Sequence, residues 1–87
     1  MANSLSNELI HISEVRRILN KASRSMAPDY YDIVVGTIGG QYAVHYECRI
    51  TNHIAKTERY RVKLREGSTR MFPLCLVMFF EGKEVIW

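Results

Sequence analysis

The chain has 87 residues, of which 47% are hydrophobic and 24% are charged. This balance excludes an intrinsically disordered chain, and the length leaves room for one core in a single domain, residues 1–87. The 12 Lys and Arg exceed the 9 Asp and Glu by only three, but seven of the twelve cations lie between residues 49 and 70. We therefore expect a locally positive surface, which points to an anionic partner.

Membrane and secretory signals are absent from the sequence pattern. No apolar run reaches membrane-spanning length, and the first residues lack the cationic start and continuous apolar stretch of a signal peptide. Cys48 and Cys75 lie in apolar runs without metal-type spacing. We predict that both are buried thiols in a reducing compartment, with a disulfide between them as the less favoured alternative. The expected location is cytoplasmic, without membrane contact.

Apolar residues recur at alternating steps of three and four from Leu5 to Met26. This spacing places them on one stripe and predicts a single amphipathic helix from about residue 5 to residue 25. Ser4 or Ser6 would cap its start, while Ser13 offers a second N-cap that would split the helix in two.

The opposite side of this helix carries cations at helical spacing, offset by one acid. They form either an ordinary solvated face or part of a binding surface. The three residues are Arg17, Lys21 and Arg24.

Two strands are predicted next. Residues 30–35 are rich in strand-forming side chains, and Gly39-Gly40 predicts a two-residue hairpin turn because both positions need a positive φ. Residues 42–51 alternate apolar and polar side chains, so they should pair antiparallel with the first strand and bury one face. Residues 52–57 are predicted to form a loop.

The third strand has the most informative pattern in the chain, because its charges fall on every second residue of the run 58–66. Strand side chains alternate between faces, so the cations should project from one side and Tyr60, Val62 and Leu64 from the other. The alternating cations are Arg59, Arg61, Lys63 and Arg65, and Arg49 of the preceding strand joins them. In the register that fits both patterns, Arg49 faces Arg61 and Glu47 faces Lys63.

The remaining residues predict a turn at 66–70, a strand at 74–80 that is apolar on both faces, a turn at 81–83 and a short final strand at 84–87. The predicted fold is α+β: one N-terminal amphipathic helix packed on a four- to five-stranded antiparallel meander. The doubly apolar strand needs a cover from the following residues, a ligand or a partner chain.

The basic row predicts a non-catalytic protein that binds RNA, another polyanion or a ribonucleoprotein, as a regulator or inhibitor. Aromatic residues could add base stacking; they are Tyr30, Tyr42, Tyr60, Phe79 and Phe80. The alternative without a binding function is a solvated face or a strand edge protected by charge. No metal or cofactor motif is present.

Two other functions remain open from the sequence. Glu47 and His45 beside arginines could cleave RNA by general acid–base chemistry, although Glu47 could equally be a structural counter-ion. The apolar run 74–80 could instead belong to a protein–protein inhibitor or to a self-associating module.

Overall fold

The computed structural model of the protein describes residues 8–25, 29–37 and 39–87. One α-helix packs on a mixed sheet of seven strands, which confirms the α+β class. The elements in chain order are β1 (Leu9–His11), α1 (Ile12–Ser25), β2 (Tyr31–Gly36), β3 (Ala43–Ile54), β4 (Arg59–Leu64), β5 (Thr69–Pro73), a 3₁₀ turn (Leu74–Leu76), β6 (Val77–Phe80) and β7 (Lys83–Ile86). Across the sheet the order is β1-β7-β6-β2-β3-β4-β5.

The sheet is larger than the predicted four- to five-stranded meander, and it is not wholly antiparallel. β1 pairs parallel with β7, with Ile10 beside Val85, whereas the other neighbouring strands pair antiparallel. The meander prediction is wrong because pairs such as β1–β7 and β2–β6 join residues far apart in sequence, and such pairing leaves no local pattern to detect.

The helix begins at Ile12, later than predicted, because residues 9–11 pair with β7 as a strand. The Ser13 N–H donates to His11 Nδ1 at 3.1 Å, which satisfies one of the amide donors that a helix start leaves unpaired. The predicted caps Ser4 and Ser6 and the apolar residue Met26 lie outside the described residues.

The predicted antiparallel hairpin of the first two strands is confirmed, but its turn is longer than two residues. Pairing ends where Gly36 faces Ala43, and residues 37–42 connect the strands. Gly39 and Gly40 have φ values of 96° and 71°, a left-handed backbone that glycine adopts without a steric penalty.

β3 extends to Ile54, and the predicted loop 52–57 is replaced by a turn over residues 55–58. A bulge at Thr51 adds one residue to β3, so Arg49 faces Lys63 while Asn52 faces Arg61. The Thr51 hydroxyl donates to the Arg61 carbonyl oxygen at 3.0 Å. The predicted opposition of Arg49 to Arg61 and of Glu47 to Lys63 is therefore wrong, because the turn lies later in the chain than the sequence indicated.

The sheet is strongly bent. The rings of Tyr46 on β3 and Phe72 on β5 stack with centroids 6.3 Å apart, although β4 lies between the two strands. In the observed registers Tyr46 is displaced from Phe72 by six residues along β4, roughly 20 Å in a flat sheet. The bulge at Thr51 in β3 and the bulge at Met78 in β6, which faces Val34 and Val35, supply the bending, since a bulge increases local twist.

The core lies on the concave, inner face of this bent sheet. Val15 and Leu19 of α1 and Tyr60 and Val62 of β4 are fully buried in it, and the burial of such apolar groups is the main favourable term in folding. The outer face of the sheet consequently points away from α1, and this separation decides where the cations lie.

The C-terminal half departs most from the predictions. Residues 69–73, assigned in part to a turn, form β5, and the predicted strand 74–80 is divided into the 3₁₀ turn and β6. The following turn is confirmed, with Glu81 and Gly82 at φ values of 52° and 81°. Pro73 can end β5 because its missing N–H lies on the unpaired side of an edge strand.

Candidate nucleic-acid interface

Four cations share the outer face of β3 and β4, and we call this surface the basic patch: Arg49, Arg59, Arg61 and Lys63. The alternation predicted for β4 is confirmed, because Tyr60 and Val62 are 0% exposed while the three cations of the strand are exposed. Neighbouring cations on β4 are about 6.5–7 Å apart along the strand. Arg49 is half-buried and lies directly opposite Lys63.

No carboxylate of the described residues lies within ion-pair distance of the basic patch. The recorded ion pairs involve other cations, namely Arg16, Arg17, His45, His53 and Arg65. Opposed like charges destabilise an antiparallel pair, and Arg49 and Lys63 form such a pair. The patch is therefore an uncompensated positive surface.

Arg65, which the sequence grouped with these cations, has a different environment. Its Nε lies 3.0 Å from Glu47 Oε2, and its guanidinium carbon lies 4.2 Å from the centroid of the Tyr30 ring. Glu47 is thus the counter-ion of Arg65, as one of the two sequence hypotheses for this acid proposed. Arg65 borders the basic patch with its charge already paired and stacked.

The helix cations do not join the basic patch. α1 packs on the inner face, where the Tyr60 hydroxyl donates to Asn20 Oδ1 at 2.5 Å, so its solvent side lies across the sheet from the patch. Arg17 is ion-paired with Glu14, and Lys21 lines a separate cleft of about 370 Å³ near Tyr31. Together with Arg24, which is exposed, they form a second, distinct surface.

The turn before β4 is anchored to the helix by a charged cluster. Glu58 has a φ of 52°, and its carboxylate lies 3.2 Å from both Arg16 and His53. The His53 ring also stacks on Tyr60, with centroids 4.7 Å apart. Arg16 was not singled out from the sequence, because its partner depends on the position of the turn.

Burial of the inner face also changes the acidity of two groups behind the patch. Desolvation raises the pKa of Tyr60 to about 12, with a further increase from Glu58 and a smaller opposing effect of Arg16. Burial likewise raises the pKa of Cys48 to about 12. Both groups are neutral near pH 7 and support β3 and β4 as apolar core residues.

The groups of the ribonuclease hypothesis are held in separate pairs. His45 Nε2 lies 3.1 Å from Asp32 Oδ1, while Glu47 is paired with Arg65. Asp32 was not part of the hypothesis, but it faces Glu47 directly across β2 and β3. Glu47 is thus placed as a counter-ion and His45 as the neighbour of a different carboxylate.

The predicted stacking residues are only partly available. Tyr60 and Phe80 are buried in the core, and Tyr30 lies under Arg65. Tyr42 is 71% exposed and Phe79 is 37% exposed, but Phe79 is on β6, separated from the patch strands by β2. The patch therefore offers charge with little aromatic surface.

The apolar run at the C-terminal side is covered only in part. Leu74, Val77 and Phe80 are buried, but Met78 remains 44% exposed. Cys75 is exposed and both cysteines are free thiols, so the prediction of two buried thiols is wrong for Cys75, which lies in the 3₁₀ turn that replaces the predicted strand. The hypothesis of a protein-binding or self-associating surface stays a prediction.

Within the described ranges, no helix combines the length and apolar character that a membrane crossing requires. The same residues contain no cluster of three or more His, Cys, Asp or Glu side chains suited to hold a metal ion. Comparison of the chain with protein-family models, with curated proteins and with solved structures finds no match.

Proposed function

We propose that this chain is a non-catalytic protein that binds single-stranded RNA, free or in a ribonucleoprotein, through the basic patch, and acts there as a regulator or inhibitor. The observation that carries the proposal is that the exposed Arg59, Arg61 and Lys63 and the half-buried Arg49 have no carboxylate partner among the described residues. A polyanion supplies the missing negative charge and releases its own counterions on binding.

The opposition of Arg49 and Lys63 supports an anionic ligand over a merely solvated face. Like charges placed directly opposite cost roughly 0.2–1 kcal/mol of stability. Protection of a strand edge does not account for them, because β3 and β4 are interior strands and the edge on this side is β5. A phosphate between Arg49 and Lys63 would turn their repulsion into two attractions.

The spacing and chemistry of the patch favour contact with the nucleic-acid backbone. The spacing of the cations along the strand, about 6.5–7 Å, is close to that of neighbouring phosphates along a single nucleic-acid strand. Because the patch has little aromatic surface, we expect weak preference for base sequence.

The test is fluorescence anisotropy with a labelled oligouridylate between about 50 and 200 mM salt. Three phosphate contacts, one of them shared by Arg49 and Lys63, predict that the logarithm of affinity falls with the logarithm of salt concentration with a slope of about −2.1, at about 0.7 per contact. The variant Arg61→Glu/Lys63→Glu should lose at least about tenfold in affinity and flatten this slope.

The matched control is Lys21→Glu/Arg24→Glu, which changes the net charge by the same amount on the helix surface. It should bind nearly as wild type does. Absent or salt-independent binding, or equal losses in the two double variants, would contradict the proposal. RNA cleavage that disappears in His45→Ala would replace it with the ribonuclease hypothesis.

A further inference from the structure

β5 is an edge strand with backbone groups directed away from the sheet. It pairs with β4 alone. The Leu74 N–H donates to the Glu58 carbonyl oxygen at 2.9 Å, which identifies Glu58 and Leu74 as a hydrogen-bonded pair of the β4–β5 ladder. Because hydrogen-bonded residues alternate in antiparallel pairs, Thr69 and Met71 direct their N–H and C=O groups outward. Of these groups, the Thr69 carbonyl oxygen already accepts a hydrogen bond from Arg70 Nη1 at 2.9 Å. Such an edge is a template for another strand.

A cleft of about 370 Å³ borders this edge. Met71 and Phe72 both line it, and since these neighbours project from opposite faces of β5, the cleft follows the edge of the strand. Val44 and Tyr46 of the bent β3 form part of the facing wall. The volume is at the small end of the roughly 300–1,000 Å³ of ligand pockets and suits one or two side chains.

The charge beside the cleft identifies the kind of occupant. Among the described residues that line the cleft, Arg59 alone is charged. No carboxylate in the described part of the chain forms an ion pair with Arg59. Met71 is 45% exposed at the same place. The cleft therefore combines an apolar wall, a free cation and a row of backbone donors and acceptors.

We propose that β5 binds an extended acidic peptide of a partner protein as an additional strand. The Thr69 N–H and the Met71 N–H and C=O groups hydrogen-bond the peptide, an aliphatic side chain enters the cleft, and a carboxylate pairs with Arg59. Main-chain bonds supply affinity in such strand addition, and alternate side chains supply specificity.

A second copy of this chain is a poorer occupant of the same edge. In the antiparallel register that pairs Thr69 of each copy with Met71 of the other, Arg70 of one copy lies beside Arg70 of the other. Opposed like charges are destabilising. An acidic strand reverses the sign of each of these contacts.

The test is selection from a phage-displayed library of random peptides against the full-length protein, followed by synthesis of the enriched peptides. We expect enriched sequences in which Asp or Glu lies near an aliphatic residue, and loss of at least about tenfold in affinity when the acid is replaced by Lys. Amide hydrogen exchange at Thr69 and Met71 should slow when the peptide is added.

The decisive variant is Met71→Pro, with Met71→Ala as its control. Both variants shorten the side chain, but only proline removes the outward N–H, and an edge strand tolerates proline when that group faces solvent. Met71→Pro should bind at least about fivefold more weakly than Met71→Ala, while both retain RNA binding.

Several results would overturn the assignment. They are a failure to enrich any acidic peptide, equal affinities in the two Met71 variants, or exchange protection elsewhere than β5. A concentration-dependent dimer that protects Thr69 and Met71 without peptide would also overturn it, because a second copy would then occupy the edge. RNA binding is measured with different variants, so the two proposals fail independently.

Discussion

Replacement of Lys63 by Glu should stabilise the fold and weaken RNA binding. Lys63 lies directly opposite Arg49, and Arg61 and Arg65 are two residues away on either side of it. A glutamate at this position would exchange one direct repulsion for an attraction, without changing the buried face of β4. A gain in folding stability together with a loss of RNA affinity is expected if these cations bind a ligand.

The size of the stability change follows from the exposure of the pair. Cross-strand charge pairs are worth roughly 0.2–1 kcal/mol, and like charges cost a similar amount. Because Lys63 is exposed and Arg49 is half-buried, salt screens the pair in part, and we expect Lys63→Glu to gain about 0.5–1 kcal/mol near physiological salt. For a domain of this length that gain raises the Tm by about 2–8 °C. Lys63→Gln removes the repulsion alone and should gain about half as much.

Urea denaturation at low salt and at about 1 M salt measures the effect, since the screening length falls to about 3 Å at the higher concentration. Arg70→Glu is the control, because it makes the same charge change at an exposed site facing Val62, not a cation. The reasoning fails if Lys63→Glu is no more stable than wild type, if its gain survives high salt, or if Arg70→Glu gains equally.

Three further predictions concern the core behind the patch. Asn20→Ala should cost about 1–3 kcal/mol in urea denaturation by leaving the buried Tyr60 hydroxyl unpaired, and Tyr60→Phe in the same chain should recover part of this loss. The pKa of Tyr60 is raised from 10.0 to about 12. Its neutral form therefore stabilises the fold below about pH 10, and this contribution is lost as the pH rises toward 12. Alkaline titration of the stability of Tyr60→Phe should lack this loss of stability. A thiol reagent should label the exposed Cys75 promptly. The buried Cys48, whose pKa is raised to about 12, should react only on unfolding. Prompt labelling of both cysteines would contradict the burial of Cys48.

The local patterns of the sequence were sufficient for the elements whose side chains alternate or recur regularly. The amphipathic stripe predicted α1, and the alternation of Arg59, Arg61 and Lys63 with buried residues predicted β4 and its charged face. These predictions succeed because burial of one face selects residues at a period of 3.6 or 2.0. The elements without such a period, β1 and β5, were missed.

The bulge at Thr51 shows how a local signal can be present and still be overlooked. Strict alternation after Ile50 would put Asn52 on the inner face, whereas the bulge puts His53 there, stacked on Tyr60. A polar residue at a core position was therefore a sign of a register shift. Together with the later position of the turn, this shift gives Arg49 and Glu47 partners other than the predicted ones.

By itself, the sequence determined that this protein has a helix with one apolar face and a strand with one cationic face. Only the tertiary structure decided that the helix cations lie across the sheet from the basic patch, that Glu47 neutralises Arg65, and that a cleft opens beside Arg59. Periodicity reports which face of a single element is buried, but the meeting of two elements depends on long-range pairing and bending of the sheet.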